Sequence, residues 1–451
     1  MLLYLGSHPF QPVELASFEQ GKEMNLPDPL ADKIQMSLQN LSTNRSTCSI
    51  FKVPRVLRSV NDRAYEPEIL SIGPYHRGKD DLKMMEEHKK HYLQMFLQRG
   101  PGNSLTSYVE AMRDLEERAR QYYHQPVSLD KDAFVEMLLL DGCFIVELIC
   151  KIEGDKDTSG PQQGDPVTGN SLVLYTVSID MLLLENQLPF CVLLKLFSMA
   201  MPYEKEDRFF DMASDFFNIS NIISSQEYKH LLDLVYHNCL PHSPDVLLSE
   251  SEPKNIEFEF IRSAKELKEA GINFGKQEEP YGLFHGGSFE NGMIKIPCLT
   301  VEDSTESLFR NLIAYEQCSQ SHEPLYVTDY IILMDCLIST QEDVQILRHC
   351  GIIESALGDD EMVCKLFNKL GTNVMISCHD RFYYAELFER VKEHCARRRN
   401  VWLAMLWRNY FNSPWSLISF IAAVSLLVLA VLQTLFAIMS YSKQTAPRPQ
   451  P

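Results

Sequence analysis

The chain has 451 residues, enough for one large domain or two ordinary ones, and its 45% hydrophobic and 23% charged residues are the proportions of a folded protein. A formal net charge of −19 repels phosphate backbones, so nucleic acid is not an expected partner. The 12 cysteines are scattered, with no C-x-x-C pair and no tight Cys/His spacing. That pattern indicates neither a zinc site nor a disulfide scaffold, and fits small buried residues in a reducing compartment.

In chain order, residues 1–46 show little periodicity and read as a loosely ordered arm, and a helical domain is expected over 47–412. IFKVPRVLRSVNDRAYEPEILSIGPYHRG has several Pro and Gly breaks and reads as ordered loop and short strand rather than helix. In SIGPYHRG, Gly73 and Pro74 are expected to shape a turn and Tyr75 to plug into the core. Asp80 to about Arg99 is predicted helical, with Leu82, Met85, His88 or Lys89, Tyr92, Leu93, Phe96 and Leu97 at helical spacing. SLTSYVEAMRDLEERARQYY gives an amphipathic helix with Leu105, Val109, Met112 and Leu115 on one stripe.

Residues 131–152 are apolar nearly all round and are placed at the centre of the core. Surface loops are expected at about 154–170 and 241–255, on either side of a second central helix, DMLLLENQLPFCVLLKLFSMA, bent or restarted at Pro189. SAKELKEAGINF reads as a short helix stopped by Gly271, and GSFENGMIKIPCLTV as a β-hairpin. Helices follow at about 304–319, 325–339, 341–356 and 360–369, then a long one from about Arg381. The fold class is therefore mainly α: a large helical body with a small β-hairpin element, plus one C-terminal transmembrane helix.

That last helix is expected over 414–441, followed by a short tail at 442–451. Between Leu417 and Met439 no residue is charged, a run of roughly 35 Å against a hydrocarbon core of about 30 Å. Trp415 and Tyr441 sit at its two ends, where aromatic rings favour the membrane interface. Arg397, Arg398, Arg399 and Arg408 precede the span, whereas Lys443 and Arg448 follow it. This asymmetry predicts a single-pass, tail-anchored protein with its body in the cytosol and its basic juxtamembrane residues near anionic lipid. The sequons at Asn40, Asn44 and Asn218 point weakly the other way.

Three polar clusters interrupt the apolar helices: Glu136, Asp141 and Glu147; Glu185, Asn186 and Gln187; and Arg310, Asn311, Glu316 and Gln317. Buried carboxylates and amides need partners. The structural expectation is a network tying the central helices together, with Arg310 as the cation and Asn186 capping carbonyls freed near Pro189. The catalytic alternative is an acid–base pair such as Asp141 with Glu185. His88 and His91 could face one metal, but Glu86, Glu87, Lys89 and Lys90 read more simply as a solvated face. No P-loop or dinucleotide fingerprint is present, and no cofactor is expected.

The strings IFKVPRVLRSVNDRAYEPEILSIGPYHRG, MLLLDGCFIVEL, DMLLLENQLPF, SAKELKEAG, FRNLIAYEQ, YVTDYIILMDCLISTQEDVQIL and PWSLISFIAAVSLL resemble the plant domain-of-unknown-function 247 family, over roughly residues 48–440 and in the same order. Arg77 departs from the pattern, since many relatives carry a second His after His76. The resemblance implies a plant membrane protein, mainly helical and without an established enzymatic activity. Some grass relatives are associated with pollen–stigma self-incompatibility. The expected function is thus a membrane-anchored interaction, signalling or recognition module with an unidentified protein partner. The alternatives are an enzyme using the buried carboxylates, or a self-incompatibility-type recognition determinant.

Overall fold

After Cys48 the prolines and glycines prevent a continuous helix. In the computed structural model the chain runs as an extended strap, broken by one helical turn, α1 (Arg55–Arg58), and a 3-10 turn at Asp62–Tyr65. A short strand was expected here; among the described residues the strap forms only an isolated bridge, Ile50 to Tyr123. The structure describes residues 30, 33–36, 48–99, 102–155, 165–219, 227–240, 259–277, 284, 286–319, 324–377, 382–396 and 414–444. The sequons Asn40 and Asn44, the loop at 241–255, most of the loop at 154–170 and Arg397, Arg398, Arg399 and Arg408 lie outside them. The chain divides into two units, Met1–Ser46 and Thr47–Pro451.

A 3-10 turn at Asp80–Leu82 leads into α2 (Lys83–Arg99), followed by α3 (Leu105–Arg120) and α4 (Lys131–Asp155). Ser104 starts α3 by accepting the Ser107 N–H at 3.2 Å. From Met137 to Lys151 every residue of α4 is buried, as its all-round apolarity predicts. It packs against α2, α3, α6 (Phe190–Ala200) and α7 (Glu206–Phe216), with α5 (Ser171–Asp180) before them and α8 (Leu231–Cys239) after. The predicted second central helix does restart at Pro189. Residues 181–189, however, are a non-helical turn, because the side chains of Glu185 and Asn186 turn inward to bond the strap.

Ser263 caps α9 (Ala264–Glu269), and Gly271 stops it at φ +87°. Beyond it lie β1 (Asn273–Lys276), β2 (Ser288–Glu290), β3 (Met293–Ile296) and β4 (Leu299–Val301). The predicted hairpin is β2–β3, turned by Asn291 at φ 51° and Gly292 at φ 77°. β1 joins β3 in parallel, pairing Phe274 with Ile294.

The C-terminal helices are α10 (Thr305–Cys318), α11 (Tyr326–Leu337) and α12 (Gln341–His349), then α13 (Asp360–Leu370) and α14 (Ala385–Ala396). Between α12 and α13 the chain forms β5 (Ile353–Ser355), parallel to β4, where the sequence reading continued a helix to 356. Gly351, at φ +71°, ends α12 early and frees the strand.

Two apolar cores result. One gathers α2–α8, and the other gathers the sheets with α9–α14 and the Leu232 and Tyr236 side of α8. The strap contributes to both: Phe51, Val53, Leu57 and Tyr65 to the second core, Ile50, Leu70 and Ile72 to the first. Burying each such side chain stabilises the fold by about 1.5–3 kcal/mol. Finally, α15 (Pro414–Gln444) carries an apolar run, Ile418–Ile438, of mean hydropathy 2.5 with no part of it buried. It is long and apolar enough to cross a membrane.

Candidate functional site

An extended strap inside a helical protein has backbone N–H and C=O groups with no ladder to pair them, and each must find a partner. Here the partners are buried side chains. Asp180, at the end of α5, accepts the N–H groups of Glu68, Ile69 and Leu70 at 2.8–2.9 Å. Asn186 accepts from Ile72 N–H at 2.6 Å and donates to the Leu70 and Asp180 carbonyls. Asp141 accepts from Gly73 N–H at 2.9 Å, and Glu185 from Val53 N–H at 2.6 Å. Asn311 in α10 donates to the Ala64 carbonyl at 2.8 Å and accepts from Leu184 N–H at 2.9 Å. Gly73 fits because φ is +70° and an added Cβ would lie 2.6 Å from the Gln187 carbonyl oxygen.

The sequence-predicted residues thus divide into several sites. Asp141, Glu185, Asn186 and Asn311 all hold the strap. The cation for Asp141 is Lys89, whose Nζ lies 2.7 Å away, not Arg310. Arg310 instead pairs with Glu306 at 2.8 Å, its neighbour one turn earlier. Glu147 is buried but takes a bidentate pair from Arg99, two bonds of 2.8 Å, away from the strap. Glu136 is 65% exposed and outside the network, because it sits on the outer face of the first turns of α4. Glu316 accepts from Val327 and Thr328 at the start of α11. Asn186 caps a helix end as expected, but that of α5 rather than one near Pro189.

Lys89 is the main surprise. The sequence offers it either on the apolar stripe, in place of His88, or among solvated charges; it is fully buried and also donates to Glu86 and the Ser71 carbonyl. Among the described residues no three His, Cys, Asp or Glu side chains gather as a metal site, and His91 is exposed on α2. The described cysteines are free thiols, with Cys150 pushed up to about 12 by burial. Trp415 and Tyr441 lie in α15 among residues whose side chains are outside the description.

Beside the strap opens a cleft of about 620 Å³. Its walls are the Lys52–Arg58 stretch, Glu66, the Tyr75–Lys79 turn, Gln125 and Glu185. Arg58 bridges Glu66 and Glu185 at 2.8 and 2.9 Å. Tyr75 packs against the first core as expected, edge-on to Tyr123, but is only half-buried, so part of its ring borders the cleft. Burial opposes an ionised Glu66, but Lys79, His76 and Arg58 outweigh it and hold the carboxyl below its usual range. Sequence reasoning missed this cleft. The available signal was the density of cations in an acidic chain: Lys52, Arg55, Arg58, Arg63, Arg77 and Lys79.

His76 forms the floor of the cleft and is 2% exposed. Burial and then the charge on Lys79 lower it to about 4, with Glu66 pulling the other way. An unfolded histidine titrates near 6.5. The stability linked to neutral His76 is therefore fully present above about pH 6.5 and is lost as the pH falls toward 4. In urea unfolding, His76→Gln should show a shallower fall of midpoint between those limits. Parallel decline in variant and parent would remove His76 from the acid response.

A mainly helical body with small sheets and one C-terminal apolar helix is the class this architecture defines. The chain belongs to the DUF247 family, described as a plant protein of unknown function, which matches residues 50–429. It is 30% identical over 438 residues to UPF0481 protein At3g47200 of Arabidopsis thaliana, covering 89% of this chain and 88% of that one. It is 22% identical over 511 residues to the putative UPF0481 protein At3g02645 of the same plant, covering 90% and 93%. No solved structure matches the chain.

Proposed function

We propose that this is a single-pass, tail-anchored membrane protein whose helical body is a non-catalytic interaction module on the cytosolic side. The observation that carries the reading is α15, whose 21-residue apolar run is wholly exposed and would otherwise face water. The orientation is supported by Arg397, Arg398, Arg399 and Arg408 ahead of the span, against Lys443 and Arg448 after it. A non-catalytic body is supported by the tasks of the buried carboxylates. Asp141, Glu147 and Glu316 hold backbone or cations inside the protein, and of the predicted carboxylates Glu185 alone borders the cleft.

Protease protection on microsomes, with tags at both termini, tests the reading. A digested body, a protected C-terminal tag and resistance to alkaline extraction are expected, with release to the supernatant when residues 414–444 are deleted. A protected body glycosylated at Asn218, which is exposed, would reverse the orientation and favour extracellular recognition. Extraction of the intact chain at alkaline pH would dispose of the anchor.

A further inference from the structure

We infer that the cleft beside the strap binds phosphorylated small molecules, either free or as a lipid headgroup. This goes beyond the anchoring proposal and does not depend on it. The chain carries a net charge of −19, yet four cations, Lys52, Arg55, Arg58 and Lys79, line this one cleft against two carboxylates, Glu66 and Glu185. A local reversal of sign raises the local concentration of anions.

The commitments of these groups separate frame from ligand donors. Arg58 is held by buried Glu185 at 2.9 Å and belongs to the frame. Arg55 and Lys52 are exposed and form no ion pair among the described residues; the Lys52 ammonium lies 5.2 Å above the Tyr75 ring. Glu66 already shows how the cleft holds an anion. Its carboxylate, 36% exposed, takes Arg58 Nη1 at 2.8 Å and the Lys79 ammonium. An incoming phosphate would share the Lys79 ammonium with Glu66 and add Arg55 and Lys52.

Beneath the cleft, His76 holds one further N–H, directed at Glu185. Lys79 Nζ lies 2.8 Å from His76 Nδ1, and an ammonium only donates, so Nδ1 accepts and the neutral ring carries its proton on Nε2. That buried Nε2 has no hydrogen-bond partner, since Glu185 Oε2 is 3.6 Å away. A dianionic phosphate matches two uncommitted cations, including an arginine fork, better than a single carboxylate does. The volume exceeds that of a bare ion and falls within the range of small-molecule sites, which points to an organic phosphate.

The test is isothermal titration of the full chain in detergent micelles with inositol hexakisphosphate, glucose 6-phosphate and inorganic phosphate, with uncharged inositol as control. Vesicles of phosphatidylcholine with and without phosphatidylinositol 4,5-bisphosphate form the lipid arm. Arg55→Ala combined with Lys52→Ala should weaken binding about tenfold or more, because two charge-assisted contacts are lost. Glu66→Gln should tighten it, because a competing internal anion is removed. Opposite shifts in a soluble phosphate assign a free ligand, and the same shifts on vesicles alone assign a headgroup; both support the site. Absence of saturable binding in every arm overturns the proposal. So does binding that all variants share.

Discussion

Lys89→Met should destabilise the protein by about 3–5 kcal/mol, the usual consequence of removing one partner of a buried ion pair. Lys89 is fully buried and Asp141 is 1% exposed, with 2.7 Å between their charges. Burial pushes the Asp141 carboxyl up, and the Lys89 charge opposes that push. Without the cation the carboxyl must stay ionised against the core or take up a proton. The variant should therefore regain part of its loss as the pH is lowered from 8 toward 5, measured by urea unfolding of the full chain in micelles. Adding Asp141→Asn should repair part of the damage, since an amide still accepts from Gly73 N–H and carries no charge. A single variant within 1 kcal/mol of the parent would mean that the pair is not buried as described.

Glu316→Ala should cost about 4 kcal/mol for a different reason. α11 begins after Leu325, a residue with no side-chain acceptor, so its first N–H groups need a partner from elsewhere. Glu316, one helix back, supplies it. The carboxylate accepts from Val327 N–H and Thr328 N–H at 2.8 Å, the Thr328 hydroxyl at 2.7 Å and the Tyr236 hydroxyl at 3.0 Å. Alanine leaves at least two buried backbone donors unsatisfied, at about 1–3 kcal/mol each, and a cavity besides. Hydrogen exchange should show the loss concentrated in the first turn of α11. Uniform loosening across the body would argue against Glu316 acting as a remote cap.

The helices that could be read beforehand are those whose information is local. The apolar run of α4, the stripe of α3 and the Asn291–Gly292 turn of the hairpin each specify an element within a short window. What could not be read is who meets whom. Lys89 falls on the apolar stripe of α2, but only Asp141, 52 positions away on another helix, explains why a cation sits there. Arg310 was paired with the wrong carboxylates because its own Glu306 lies one turn back, a local partner that the clusters did not suggest. Glu136 looked buried because the run after it is apolar, yet it lies one turn after exposed Asp132, on the face of α4 that meets water. The polar triplet at 185–187 stands out in the sequence, while its effect, abolishing helix over 181–189, depends on bonds to distant segments.

The strap also bears on how the chain reaches its fold. The Val53–Glu185 and Ala64–Asn311 bonds span 132 and 247 positions, so the first part of the body to be synthesised waits for much later parts to secure it. At roughly 5–20 residues per second, the ribosome needs on the order of 10–50 s to travel from Ala64 to Asn311. During that interval Phe51, Val53, Leu57 and Tyr65 have no finished core to enter. Such long-range closure slows folding and exposes apolar surface to chaperones and to other nascent chains. The body is thus completed late in translation, shortly before α15 leaves the ribosome.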